Sequence, residues 1–178
     1  MNRHESLAFK LSLAKSALKT CFVTNALANG ICFYFLSHGE GRAMADFGFN
    51  AMATAFILSL ICFPCAQLMA NGMDKRGELD AHTYDRNDHL LIHFFPKGRL
   101  AQTLIAAILI TIVFGPLESG IAVIAGFAAG NLVPLIPGTI IHGVCAGLMG
   151  LANMYLGYVG RFTTLRAEKQ AIEPVAEY

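Results

Sequence analysis

This chain is poor in charge. Acidic and basic side chains make up only 14% of its 178 residues, where a soluble domain carries about a quarter. Four stretches, 21–36, 47–70, 100–115 and 137–160, contain no acidic or basic residue at all. With 55% of the residues hydrophobic, a soluble domain of this size would have nowhere to bury that surface. Crossing about 30 Å of hydrocarbon takes roughly 20 mostly apolar helical residues, and each stretch reaches that length with a little help from its flanks.

Other absences narrow the function. The chain has no phosphate-binding loop, no G-x-S-x-G elbow and no pair of carboxylates inside the apolar stretches, which leaves catalysis without candidates, so the chain reads as a non-enzyme. No basic stripe with interleaved aromatics accompanies the net charge of +1 and pI near 7.7, which argues against nucleic acid as a partner. Two histidines at matching membrane depth, as haem ligation would need, are missing, and no cofactor is implied. No small-residue cleavage site follows a short apolar core near the start, so no cleavable signal peptide is expected.

The few basic residues sit where topology puts them. Arg3, Lys10, Lys15 and Lys19 precede the first apolar stretch; Lys75, Arg76, Arg86, Lys97 and Arg99 lie between the second and third; Arg161, Arg166 and Lys169 follow the fourth. Arg42 alone occupies the remaining connections, so twelve of thirteen basic residues fall on one side. By the positive-inside rule both termini and the central loop are expected in the cytoplasm of a bacterium, with the chain in its inner membrane.

The expected fold is all-α: a four-helix integral membrane bundle of two tandem transmembrane hairpins. An amphipathic cytoplasmic or interfacial helix is expected over 1–19, with Leu7, Leu11, Ala14 and Leu18 on one face. The bundle follows over 20–160, with spans near 20–37, 47–71, 99–116 and 137–160, a cytoplasmic loop at 72–98 and a cytoplasmic tail at 161–178. Gly115-Pro116 predicts the end of the third helix and Glu118-Ser119-Gly120 a turn. The apolar residues 121–133 are then read as an interfacial or re-entrant segment, or as the start of a long, kinked fourth helix.

The two halves resemble each other at an offset of about 81 residues: Phe33, Leu36, Gly39 and Asn50 recur as Phe114, Leu117, Gly120 and Asn131. One residue of slippage later, Cys65-Ala66-x-Leu68-Met69 recurs as Cys145-Ala146-x-Leu148-Met149. A duplicated hairpin would relate the halves by an axis along the membrane normal. In the first half, Asp46-Phe47, Ala55-Phe56 and then Phe63-Pro64-Cys65-Ala66 resemble a family of very small bacterial two-helix membrane proteins whose second helix carries an Ala-Phe-Pro-x-Ala type motif. That resemblance implies a membrane location and a hairpin, and no activity. The second half departs from it, because Gly143-Val144-Cys145-Ala146 lacks the proline.

Polar residues inside the spans are the candidate site. Asn25 and Asn29 lie one turn apart on the first span, and His142 and Asn153 on the fourth; these four could line a permeation path, or bond across helices as packing residues. Glu118 is the only acid near the outer edge of a span. Gly143, Gly147, Gly150 and Gly157 form a small-residue face suited to close helix approach. Cys62-Phe63-Pro64-Cys65 has the C-x-x-C spacing of thiol oxidoreductases, but it falls in the half nearer the cytoplasm, where thiols stay reduced, and packing is the simpler role. In the central loop His82, Asp85, His89 and His93, with Asp80 and Asp88 nearby, are the one dense set of potential metal ligands, and solvation alone accounts for such a loop.

Three function classes follow. The leading one is a non-catalytic membrane component that binds another membrane protein or a second copy of itself within the lipid bilayer. The alternatives are a small-solute or ion transporter or channel lined by the intramembrane Asn and His, and a membrane thiol-disulfide oxidoreductase.

Overall fold

The structure, a computed structural model, describes residues 3–38, 40–76, 98–126 and 130–172. Four helices dominate: α1 (Arg3–Leu36), α2 (Met44–Lys75), α3 (Arg99–Ile124) and α4 (Leu135–Ile172). Stretches of 30, 26 and 24 residues in α2, α3 and α4 are long and apolar enough to cross a membrane. That supports reading the chain as a membrane protein. α1 is not among the three: Lys19, Asn25 and Asn29 dilute its apolar run.

Helix is the form such sequences must take, because lipid offers no partner for backbone amides and carbonyls. Hydroxyls on the helices follow the same logic by bonding within their own turn. Ser59 donates to the Ala55 carbonyl at 2.7 Å, Thr111 to Ala107 at 2.7 Å and Thr139 to Leu135 at 2.8 Å. Burial is correspondingly inverted. Ala51, Ala55, Ala106, Ala107 and Ala122 are fully buried, while Leu68, Leu100, Ile112, Ile124 and Ile136 face outward. Small residues inside and large apolar residues outside are what helices in lipid need, since close backbone approach, not water exclusion, holds them together.

The helices pack in an exchanged order: α1 lies on α4, α3 lies on α2, and α2 and α4 meet along the centre, with a lesser contact between α3 and α4. Three apolar clusters stack along the bundle. Phe33, Phe47, Ala122 and Val133 form one end; Ala55, Ile110, Cys145 and Met149 the middle; Ala66, Ala70, Met73, Met154 and Tyr158 the other end. At the first end two short strands pair antiparallel, β1 (Arg42–Ala43) with β2 (Leu132–Val133), Arg42 opposite Val133. That pairing ties the α1–α2 connection to the α3–α4 connection. His38 (φ 53°) and Asn131 (φ 59°) take left-handed backbone at the turns that make it possible.

Three expected boundaries are corrected. The third helix does not stop at Gly115-Pro116 but runs through Pro116 to Ile124, so 121–124 is its last turn, not the start of a re-entrant segment or of the fourth helix. Proline removes one bond, that to the Ile112 carbonyl, and a membrane helix tolerates this where neighbours re-satisfy the backbone. Pro64 is accommodated inside α2 in the same way. α1 is one continuous helix from Arg3, so 3–19 is the beginning of the first helix rather than a separate element. α4 likewise continues to Ile172, through most of what was expected to be a tail. Pro137 falls in its first turn, where an amide would lack a partner anyway.

Candidate functional site: a buried carboxylate-imidazole pair

Because α3 does not break at Pro116, it carries Glu118 back into the bundle. Its side chain is fully buried, with 0% exposure. Oε1 of Glu118 lies 2.7 Å from Nδ1 of His142 on α4, itself only 4% exposed. All four helices build the surroundings. Phe33 of α1 stacks on the imidazole, with ring centres 5.1 Å apart and planes 29° apart, and Phe47 of α2 meets it at 71°. Thr54 Oγ1 of α2 lies 3.4 Å from Nε2, the far side of the ring. The second carboxylate oxygen, Oε2, is buried with no hydrogen-bond partner among the described residues.

Nε2 faces a cavity of about 130 Å³ walled by Asn29, Arg42, Asn50, Thr54 and His142 among others. Arg42 also lines it, donating to the Leu36 carbonyl at 2.6 Å with its guanidinium 6.0 Å from the Phe33 ring centre. The imidazole therefore meets a buried carboxylate at Nδ1 and lines a small cavity whose walls mix polar side chains with Cys32, Phe33 and Leu36. A proton on either partner can pass between them along a 2.7 Å hydrogen bond.

The other candidate residues are distributed along the same bundle. Asn29 reaches the small cavity, and its amide donates to the Asn25 carbonyl at 3.0 Å. Asn25 instead faces a cleft of about 880 Å³ between α1, α2 and α4, donating to Cys21's carbonyl at 2.8 Å. The two asparagines thus sit on two different openings, one helical turn apart. Asn153 lies in neither; it is fully buried, donates to Ser59 Oγ at 3.0 Å, and leaves its Oδ1 without a partner among the described residues. Further along, Gln67 donates to Gln102 at 2.9 Å and Arg161 to Asn71.

The glycine face is where helices approach closely. A Cβ on Gly143 would stand 2.7 Å from the Ala26 carbonyl oxygen, and one on Gly147 3.0 Å from that of Phe22. On Gly150 it would meet Asn25 Nδ2 at 2.7 Å, and on Gly157 the Phe63 carbonyl at 2.8 Å. The first three seat α1 on α4 and the last seats α2 on α4. Gly30, opposite Gly143, completes that crossing.

Among the described residues no three of His, Cys, Asp and Glu stand together as a metal site. The loop ligands His82, Asp85, His89 and His93 lie outside the described residues. All five cysteines are free; Cys62 is buried while Cys65 is exposed. No family model, curated protein or solved structure matches the chain. The Glu118–His142 pair was not anticipated. Reading Gly115-Pro116 as a stop put Glu118 at an outer edge and left His142 alone in its span. The signal that could have found it is spacing: without that stop, Glu118 falls within the same helix as 100–115.

Proposed function

We propose that this chain is a four-span membrane protein that passes protons, or a small solute coupled to them, with the Glu118–His142 pair as the proton-binding group. The observation that carries this reading is the 2.7 Å contact between two side chains of 0% and 4% exposure, one keeping an unpartnered oxygen. An ionisable group at membrane depth is expensive and marks a functional site by default. Packing does not require it, because apolar residues of similar volume commonly do as well as a buried ion pair. Openings on either side of Asn25 and Asn29 support a route past the pair, with Asn29 on the small cavity and Asn25 on the large cleft.

The basic residues support both termini and the 77–97 connection on the cytoplasmic side of a bacterial inner membrane. The strand pairing of Arg42 with Val133 supports that topology, since it joins at one end the two connections left with a single basic residue. The packing of α1 on α4 and α3 on α2 is what two duplicated hairpins would give, in keeping with the resemblance to two-helix membrane proteins.

A second reading, a non-catalytic component that binds another membrane protein or its own copy, draws on the Gln67–Gln102 and Asn153–Ser59 bonds, where polar side chains join helices away from any ionisable group. Reconstitution separates the two. Vesicles loaded with a pH dye, with potassium and valinomycin compensating charge, should acidify after an external acid pulse when they hold the wild-type protein. Glu118→Gln and His142→Gln should abolish that response. Wild-type vesicles that behave like empty ones would favour the scaffold.

A further inference from the structure

The large cleft at the opposite end from His142 is walled by sulfur. Of the 5 Cys and 7 Met in the chain, Cys21, Cys62, Cys65, Met69, Met73 and Met154 all line it. They come from three helices: Cys21 from α1, Met154 from α4 and the rest from α2. Met73 and Met154 are buried, and the Tyr158 hydroxyl donates to Met69 Sδ at 3.8 Å.

Two of these sulfurs flank the same side chain. Cys21 from α1 and Cys62 from α2 line the same cleft, with the Asn25 side chain between them. The Asn25 amide touches both, its Nδ2 3.1 Å from Cys21 Sγ and its Oδ1 3.9 Å from Cys62 Sγ. Both thiols are free. Among the described residues no carboxylate lines the cleft.

That donor set selects by softness. Magnesium, calcium and manganese take oxygen ligands, which the described residues of the cleft offer as hydroxyl and amide groups. Zinc takes four nitrogen, sulfur or carboxylate ligands, and no three of His, Cys, Asp and Glu stand together here among the described residues. Thiolate and thioether donors suit monovalent copper and its analogue silver. Two thiolates are enough for an ion that accepts linear coordination. We propose that Cys21 and Cys62 form a binding site for a soft monovalent cation of the Cu(I) class, with the methionine thioethers as its surroundings.

Binding displaces the two thiol protons to water, and each thiolate donates an electron pair to the ion with no change of oxidation state. The resulting bis-thiolate complex carries one negative charge. This site does not depend on the Glu118–His142 pair.

Silver(I), which needs no reductant to hold its oxidation state, is the probe. Reduced protein in detergent with one equivalent of Ag(I) should show one bound ion by native mass spectrometry and two sulfur ligands by X-ray absorption. Alkylation mapping of the same sample should find Cys21 protected and Cys32, exposed further along α1, still reactive. Cys21→Ser and Cys62→Ser should each lose the ion to a competing thiol at least tenfold more readily, while Cys32→Ser holds it as wild type does. Absence of a bound ion, nitrogen or oxygen coordination, or equal protection of Cys32 in the wild-type protein would overturn the proposal, as would either cleft variant holding silver as tightly as wild type. The ligand count and protection pattern are read on the wild-type chain, so the test stands even where a serine variant misfolds.

Discussion

Removing one member of the Glu118–His142 pair should cost more than removing an ordinary interhelical hydrogen bond. Neutral side-chain bonds between membrane helices are worth about 0.6 kcal/mol on average and about 1.7 kcal/mol at most, because the unfolded chain in the membrane also finds partners. Glu118 and His142 are hydrogen-bonded at 2.7 Å with side-chain exposures of 0% and 5%. Breaking a buried charged pair from one side costs roughly 3–5 kcal/mol, since the remaining group keeps its desolvation penalty. Glu118→Ala should therefore lose about 3 kcal/mol or more, with the vacated volume adding to the loss. Glu118→Gln keeps the volume and an accepting oxygen and should lose less. A double-mutant cycle between Glu118→Gln and His142→Gln, read by denaturant unfolding in mixed micelles, should give a coupling above about 1.7 kcal/mol, the ceiling for neutral membrane pairs. Coupling near 0.6 kcal/mol, the average for neutral pairs, would show that these side chains are packing contacts of the common kind and would refute their reading as a proton-binding pair.

Other expectations follow from the same contacts. Gly143→Ala should destabilise the protein by about 1–3 kcal/mol, because its Cβ would meet the Ala26 carbonyl oxygen at 2.7 Å and backbone cannot move aside cheaply. Gly120→Ala is the control, with nothing within 4 Å of its Cβ; it should leave unfolding unchanged or raise stability slightly. The double variant Asn25→Leu, Asn29→Leu should abolish proton entry in vesicles with little loss of thermal stability, because both amides donate along their own helix and the contact of Asn25 with Cys62 on α2 is a long one, 3.9 Å; a stability loss without a separate transport defect would remove these residues from the route. Cysteine labelling should find Arg42→Cys reactive from outside the cell and His82→Cys from the cytoplasm, and both on one side would end the four-span topology.

What could be read from the sequence was whatever depends on composition along one helix. The uncharged stretches located the helices, and the spacing of Gly143, Gly147, Gly150 and Gly157 marked a face that meets α1 and α2. What could not be read depends on two segments at once. The stop assigned to Pro116 applies a rule of soluble helices to a setting where a broken bond can be re-satisfied by neighbours. That one misplacement hid Glu118, and with it the partner of His142. The pairing of Arg42 with Val133 joins residues far apart in sequence through two strands of two residues each, too short to leave a pattern. Asn25 and Asn29 looked suited to bonds across helices; their Nδ2 groups donate along α1, to the carbonyls one turn back, and it is Asn25 Oδ1 that meets Cys62 of α2.

The most direct test of the proposed proton site is the protonation of His142 itself. In protein labelled with ¹⁵N at histidine and reconstituted in lipid, the His142 ring nitrogens should change protonation state reversibly as the pH outside is varied, with the fold unchanged. An imidazole that keeps one protonation state throughout the range in which the protein stays folded would mean that the pair is sealed from both solvents, and would contradict its role as a proton-binding group.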